Sequence, residues 1–484
     1  MRFTLTCLTV FTVSCAASIA QEAKPIELSI EARAIETPVL KYRLLPSESE
    51  IKPGNAVPIL LRLPWEQTLW MNQEYPKLRD WDSRGLDDPA WETSNGVLPN
   101  GFYAEMKRAA FRRDAFWEYP IGEVPSPHLI LLPDVQSLFS FLGHGLSARI
   151  RYHLTKGELD KAREGILVGL ANGRHLAQTP FYINQLVALS IHQVMLDRTA
   201  ELISQPDSPN LYWALSTLPD SLLEINRASS LEGDIFGMTF PAVTDFDRER
   251  DDEEWSKMAE QLVEFLEQFG EIPAKQEPAH SGDVIDRLLQ SLQLAEVNHI
   301  SKAVRQVRAE LPGLLKISAE KIEAMSDAEA GVRWYTHLRI AQDQHGAAVM
   351  SLPPREAWTE LKKCQQETKA MREKTSTASQ SGLDSATIYV AVWTLKRNIC
   401  ALRIIEAIRD HLASHDGQLP ATLDELKQVS VPHDPLTDRP FEWSVDGKTA
   451  ILKAPSLPAD FIEPGTATGK PRQLEYRLQV KGTP

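Results

Sequence analysis

Ser140 and His144 stand one helical turn apart, in a stripe that also holds Ser137, Ser147 and Arg151. These are the residue types of acyl transfer, in which an imidazole takes a hydroxyl proton while a third group orients the imidazole. Adjacent turns of an exposed helix rarely supply that third group. No serine in the chain lies in the strained G-x-S-x-G turn that presents a nucleophile. The stripe is therefore assigned no catalytic residue. Gln185 and His192, seven positions apart, share one face of a mostly apolar segment. They read as a hydrogen-bonded core pair, with Arg174 and His175 as the natural neighbours on the preceding segment.

Calcium is suggested by the run Asp245, Asp247, Glu249, Asp251, Asp252, Glu253, Glu254, since hard cations want clustered oxygens at alternating positions. Arg250 stands where the sharp turn needs glycine, and Ser256 where the bidentate glutamate belongs, so the run reads as a solvated helix start. No H-E-x-x-H, phosphate-cradling G-x-x-x-x-G-K-[ST], G-x-G-x-x-G or C-x-x-C is present. No metal or cofactor is expected on this reading. Glycosidase-type carboxylate pairs leave no short signature, which keeps a secreted hydrolase of polysaccharide or peptide as the alternative. Trp65, Trp70, Trp81, Trp91 and Trp117 would then be a sugar-stacking surface, although their apolar area suits core packing.

The elements that must position these residues begin with a leader. Met1-Arg2, the uncharged stretch Phe3 to Ala20 and the small residues Ser18-Ile19-Ala20 have the layout of a signal peptide cut after Ala20. A retained anchor is the rival reading, and lipidation at Cys15 a third, for which Thr12-Val13-Ser14 lacks the expected large aliphatic residue. Fifty-two basic against 66 acidic residues give a net charge of −14, a field that repels nucleic acid. Outside the leader only Cys364 and Cys400 remain, too few for a structural zinc site. In an oxidising compartment they can form one disulfide, and they can equally be two buried inert thiols.

Residues 21–133 read as an irregular, proline-interrupted N-terminal region with β-like runs at Val39 to Pro46 and Ile59 to Pro64. From Asp134 the period changes. Val135, Leu138, Leu142, Leu146, Ile150 and Leu154 mark one amphipathic helix, and Leu159, Ala162, Ile166, Leu170, Gly173 and Leu176 a second, joined at Lys156-Gly157-Glu158 as a helical hairpin. A third helix is expected from Phe181 to Ile203. Further helices fall around 221–236, 253–269, 284–311, 326–350, 354–374 and 385–414, with no second copy of the hairpin at a tetratricopeptide-like period of about 34 residues. The fold class is thus mainly α, with a helical body over 134–380. Residues 381–484 form a long helix plus a small helix-and-β-ribbon appendage: a short helix Ala421 to Lys427, then strands Phe441 to Val445, Ala450 to Lys453 and Leu474 to Val480, the first two joined at Asp446-Gly447. The ribbon is a candidate to pair with the N-terminal β segment.

Leu40-Lys41-Tyr42-Arg43-Leu44-Leu45-Pro46, Lys52-Pro53-Gly54-Asn55-Ala56 and Pro209-Asn210-Leu211-Tyr212-Trp213-Ala214-Leu215, together with the leader, resemble an uncharacterised family of exported helical proteins of planctomycete bacteria. That resemblance implies an architecture and no activity. Locally, Gly417-Gln418-Leu419-Pro420, Leu423, Leu426, Asp434-Pro435 and Phe441-Glu442-Trp443 resemble the globular end of type II secretion pseudopilins, where a long helix leads into such a segment. Arg2 and Cys7 stand where a prepilin carries glycine and glutamate, so the tail reads as a reused fold fragment rather than a filament subunit. The functional expectation is an exported, noncatalytic structural or protein-interaction protein of the periplasm or cell envelope. Its partner would be a protein or envelope component, with membrane contact only if the N-terminal segment is retained.

Overall fold

The computed structural model describes residues 25–66, 77–94, 98–121, 123, 135–239, 248–268, 300–374, 385–457 and 474–481. The leader with its Ala20 cleavage point, Cys7 and Cys15 lies outside these, as do Trp70, Asp245, Asp247 and residues 284–299. The protein is mainly helical with a small sheet. Among the described residues, no helix is long and apolar enough to cross a membrane. Two compact units are present, one holding the described residues within 229–388 and the other those within 25–119, 135–228 and 389–481.

In the larger unit, β1 (Ile26–Ile30) precedes β2 (Lys52–Asn55) and helix α1 (Val57–Glu66). The β-like reading of Ile59 to Pro64 is corrected here, because these residues belong to α1. Pro58 is the second helical residue, where no N–H is needed, and Asn55 caps the start by accepting from the Val57 amide at 3.0 Å. Ile59, Leu60 and Leu63 are buried together, a helical rather than an alternating pattern. Val39 to Pro46 likewise forms turns, not a strand, with Leu44 as its buried anchor. A helical segment over 77–83, here α2, and α3 (Asn100–Ala110) follow, and β3 (Arg112–Asp114) runs parallel to β2.

Three long helices form the core. Helix α4 runs from Val135 to Thr155 as an α-turn (Val135–Phe139), a π-turn (Ser140–Gly145) and a further α stretch (Leu146–Thr155). Gly157, at φ +68°, turns the chain into α5 (Leu159–Ala177), and α6 (Tyr182–Ile203) returns along it, as the periodicity requires. Helix α5 approaches both neighbours through glycines at four-residue spacing. A Cβ on Gly165 would meet Ile150 of α4 at 2.6 Å, one on Gly173 would meet the His192 ring of α6 at 2.5 Å, and one on Gly169 would overlap the Met195 sulfur. Alanine in a free helix gains about 1 kcal/mol over glycine. Gly173→Ala is nonetheless expected to destabilise by about 2 kcal/mol, because His192 is fully buried and the packed core has no room to yield. Urea unfolding checks this, and a stabilised variant would refute the close-packing account.

Helix α7 (Tyr212–Ser216) and α8 (Ile225–Thr239) lead into the smaller unit. There α8 is followed by α9 (Asp252–Gln268), α10 (Ile300–Leu315), α11 (Asp327–Met350) and α12 (Pro354–Lys374). Helices α9, α10 and α12 pack on α11. Trp255 and Ala259 of α9 meet Ala328 and Val332 of α11, with Arg333 over the Trp255 ring at 4.8 Å, and Trp334 donates to Glu310 of α10 at 2.9 Å.

The larger unit closes with α13 (Ser385–Ser414) and a sheet of β4 (Glu442–Asp446), β5 (Thr449–Lys453) and β6 (Glu475–Val480). The expected helix Ala421 to Lys427 shrinks to one 3-10 turn, Leu423–Glu425, held by Glu425 accepting from the Ala421 amide. Strands β4, β5 and β6 are antiparallel, with Gly447 at φ +60° in the hairpin. The N-terminal segment does join them: β1 pairs parallel with β6, residue 26 beside 476 and 30 beside 480. One sheet face, through Leu28, Ile30, Ala450, Leu452, Tyr476, Leu478 and Val480, is buried, and the Tyr476 hydroxyl bonds Asn398 of α13. Buried ion pairs complete the joint. Arg397 meets Asp434 at 2.7 Å, and Arg409 meets Glu406 at 2.9 Å while donating to the Ser208, Pro209 and Glu31 carbonyls.

Candidate functional site

The serine–histidine stripe of α4 is not exposed, and the third group that its sequence spacing lacked arrives from α2. Ser140, Ser147 and Arg151 are 2%, 0% and 8% exposed. The π-turn holds His144, whose Nδ1 lies 2.8 Å from Asp82 Oδ2, with Phe139 edge-on to the ring. One turn on, the Ser147 hydroxyl donates to Asp82 Oδ1. From α6, Arg198 Nη1 reaches Asp82 Oδ1 at 3.3 Å and the Ser147 oxygen at 3.1 Å. Glu201 accepts from Arg151 on both oxygens, at 3.1 and 3.0 Å, and contacts Arg198 at 3.4 Å. Arg151 closes the ring by donating to the Asp82 backbone carbonyl.

Charges therefore alternate along Asp82, Arg198, Glu201 and Arg151, with the His144 ring against Asp82. A carboxylate only accepts, so His144 carries its proton on Nδ1, the orientation that an aspartate imposes in acyl-transfer triads. Ser147 departs from such a triad because its hydroxyl faces the carboxylate rather than the far nitrogen of the imidazole. Burial alone would raise the Asp82 proton affinity, but His144, Arg198 and Ser147 together hold it below the ordinary aspartate value. A carboxylate so held is a poor proton acceptor at neutral pH. The arrangement can lock three helices together, and it leaves the Ser147 hydroxyl on the carboxylate rather than on a base.

Gln185 and His192 are both buried but do not bond each other. The Gln185 amide nitrogen donates to the Thr179 carbonyl at 2.8 Å and to the Ala177 carbonyl, while its oxygen accepts from the Glu224 amide at 2.9 Å. His192 lies 3.3 Å from the Leu170 carbonyl, beside Gly173. His175 is buried and Arg174 exposed. Of the tryptophans, Trp91 is buried and donates to the Gly85 carbonyl, Trp81 packs against it at 4.7 Å, and Trp117 donates to the His175 carbonyl at 2.8 Å. These three rings serve packing. In the acidic run, Asp251 accepts from the Glu254 amide at 2.9 Å and the Glu254 carboxylate reaches back toward the Asp251 amide, a reciprocal cap at the start of α9. Among the described residues, no group of three or more His, Cys, Asp or Glu is placed to hold a metal.

Cys364 is a buried free thiol on α12 and Cys400 a half-buried free thiol on α13. Burial pushes the Cys400 thiol up to about 11, far from the thiolate that redox chemistry requires.

No family model, curated protein or solved structure matches the chain. Asp82, Arg198 and Glu201 are the site members that the sequence did not point to. Arg198 and Glu201, at i and i+3, carried a weak signal of one charged face, whereas Asp82 had none, since it meets His144 across 62 residues of chain.

Proposed function

We propose that the protein is exported and noncatalytic, serving a structural or protein-interaction role in the periplasm or cell envelope. The observation that supports this reading is the inward use of the serine, histidine and aspartate. Ser147 bonds the carboxylate that a catalytic histidine would need, Arg198 fastens that carboxylate in place, and Arg151 holds the Asp82 backbone carbonyl. An interaction role also suits a rigid three-helix body, and a net charge of −14 favours protein over nucleic acid as the partner.

The test is an assay of the full chain against ester, peptide and glycoside substrates, beside Ser147→Ala and His144→Ala. The expected result is no turnover by any of the three, with Ser147→Ala losing about 1–2 kcal/mol of unfolding free energy through its missing hydrogen bonds. Turnover that vanishes in Ser147→Ala while the melting temperature holds would sink the noncatalytic reading. Intact mass from fractionated cells addresses export, with a chain starting at Gln21 in the extracytoplasmic fraction as the expected species.

A further inference from the structure

The last turn of α13 carries two stacked histidines. The His411 and His415 rings lie 3.8 Å apart and within 8° of parallel. His411 is only 4% exposed, and its Nδ1 is buried without a hydrogen-bond partner. His415 Nδ1 is 3.0 Å from the His411 carbonyl and 2.9 Å from the Ser414 hydroxyl, so it carries the proton. Ser414 is the joint with the segment that follows. It donates to the His411 carbonyl at 3.1 Å and accepts from Gln428 at 3.4 Å. The Gly417 and Gln418 amides return to the Leu412 and His415 carbonyls, and Trp443 of β4 holds the same segment through the Pro420 carbonyl at 2.9 Å.

From this geometry we infer that His411 and His415 form an acid-sensitive latch, closed when both rings are neutral, that fixes residues 415–428 to the end of α13. The carbonyl end of a helix favours one imidazolium, but two stacked at van der Waals distance repel, and the inner one has no acceptor at its buried nitrogen. The charged groups acting on His411 are His415 and Asp410 on its own helix and Glu425 on the 3-10 turn. Asp410 is engaged by the Ile35 amide at 2.8 Å, and Glu425 by the Ala421 amide at 2.9 Å. Burial first, and then His415, lowers the proton affinity of His411 against the opposing pull of Glu425 and Asp410. A group so lowered favours the closed form above the ordinary histidine pKa and works against it as pH falls below that value. Charging His411 turns it toward water, which breaks the stack and frees Ser414 from Gln428.

The test is amide hydrogen exchange on the full chain at about pH 7.5 and about pH 5, corrected for intrinsic exchange, with residues 415–428 of the His411→Phe chain as the reference, since the acid response of His175 and His192 is common to both chains. Residues 415–428 of the wild type are expected to lose about tenfold more protection than the same residues of His411→Phe. His411→Phe keeps a stacked ring that cannot charge and is expected to abolish the loss, and His415→Gln, which removes the repelling partner, to reduce it. Unchanged protection in the wild type, or an undiminished loss in both variants, would overturn the latch. If His411→Phe does not fold, His415→Gln decides alone, and an undiminished acid loss there overturns it.

Discussion

Arg409→Met is expected to lower the unfolding free energy by about 3–5 kcal/mol, the cost of removing one partner from a buried ion pair. Arg409 is 1% exposed and Glu406 0%. Without the guanidinium, the Glu406 carboxylate and the carbonyls of Ser208, Pro209 and Glu31 are left in the core with no charged donor. Desolvation already pushes the Glu406 carboxyl upward, with Arg409 opposing it, so the variant will hold Glu406 protonated and recover part of the loss. The double variant Arg409→Met with Glu406→Leu is expected to regain more, since an apolar pair of similar volume often replaces a buried ion pair at little cost. Urea midpoints of wild type, single and double variants measure all three. A single-variant loss below about 1 kcal/mol would show that the pair lies in water rather than in a core.

Acidification is expected to have a comparable effect through two other side chains. Burial pushes His175 and His192 down to about 4, helped at His175 by the Arg174 guanidinium, so both are neutral in the folded chain. In the unfolded chain they titrate near the ordinary value of about 6.5. The folded state therefore binds fewer protons than the unfolded one between these values. The stabilisation is complete above about pH 6.5 and is lost progressively as pH falls toward about 4. Each histidine accounts for about 3 kcal/mol over that window, at about 1.4 kcal/mol per unit. The measurement is the slope of unfolding free energy against pH for wild type, His175→Gln and His192→Gln. Each variant should be flatter than wild type by nearly one proton, whatever its absolute stability at neutral pH, and an unchanged slope would mean that the ring titrates alike in both states.

Periodicity made the helices legible. Leu159, Ala162, Ile166, Leu170, Gly173 and Leu176 mark α5 because one stripe of a 3.6-residue repeat must meet its neighbours. Gly173 belongs to that stripe for a reason the pattern does not state, namely the His192 ring against it. The β4–β5 hairpin was equally plain in Asp446-Gly447, where a positive φ is needed. Failure came where local rules met tertiary ones. Pro58 and Pro64 argued against helix, but Pro58 sits in the first turn of α1, where no amide bond is lost, and Pro64 falls only in its last turn. Asp82 was invisible because its partners come from two helices remote in sequence, so no spacing links them. Nothing in the spacing of the charged residues of α13 marks them as buried, and only the fold shows Arg397, Glu406 and Arg409 enclosed.

The pairing of β1 with β6 has a consequence in time. A strand at residues 26–30 finds its neighbour only when residues 475–480 have been made. At roughly 5–20 residues per second, the first strand waits on the order of tens of seconds for the last. The hairpin of α4 and α5 can close from local contacts long before that, whereas the sheet is the slow, non-local step. During the interval β1 offers an unpaired edge, which makes it the segment most exposed to misassociation and the natural place for a chaperone to hold the nascent chain.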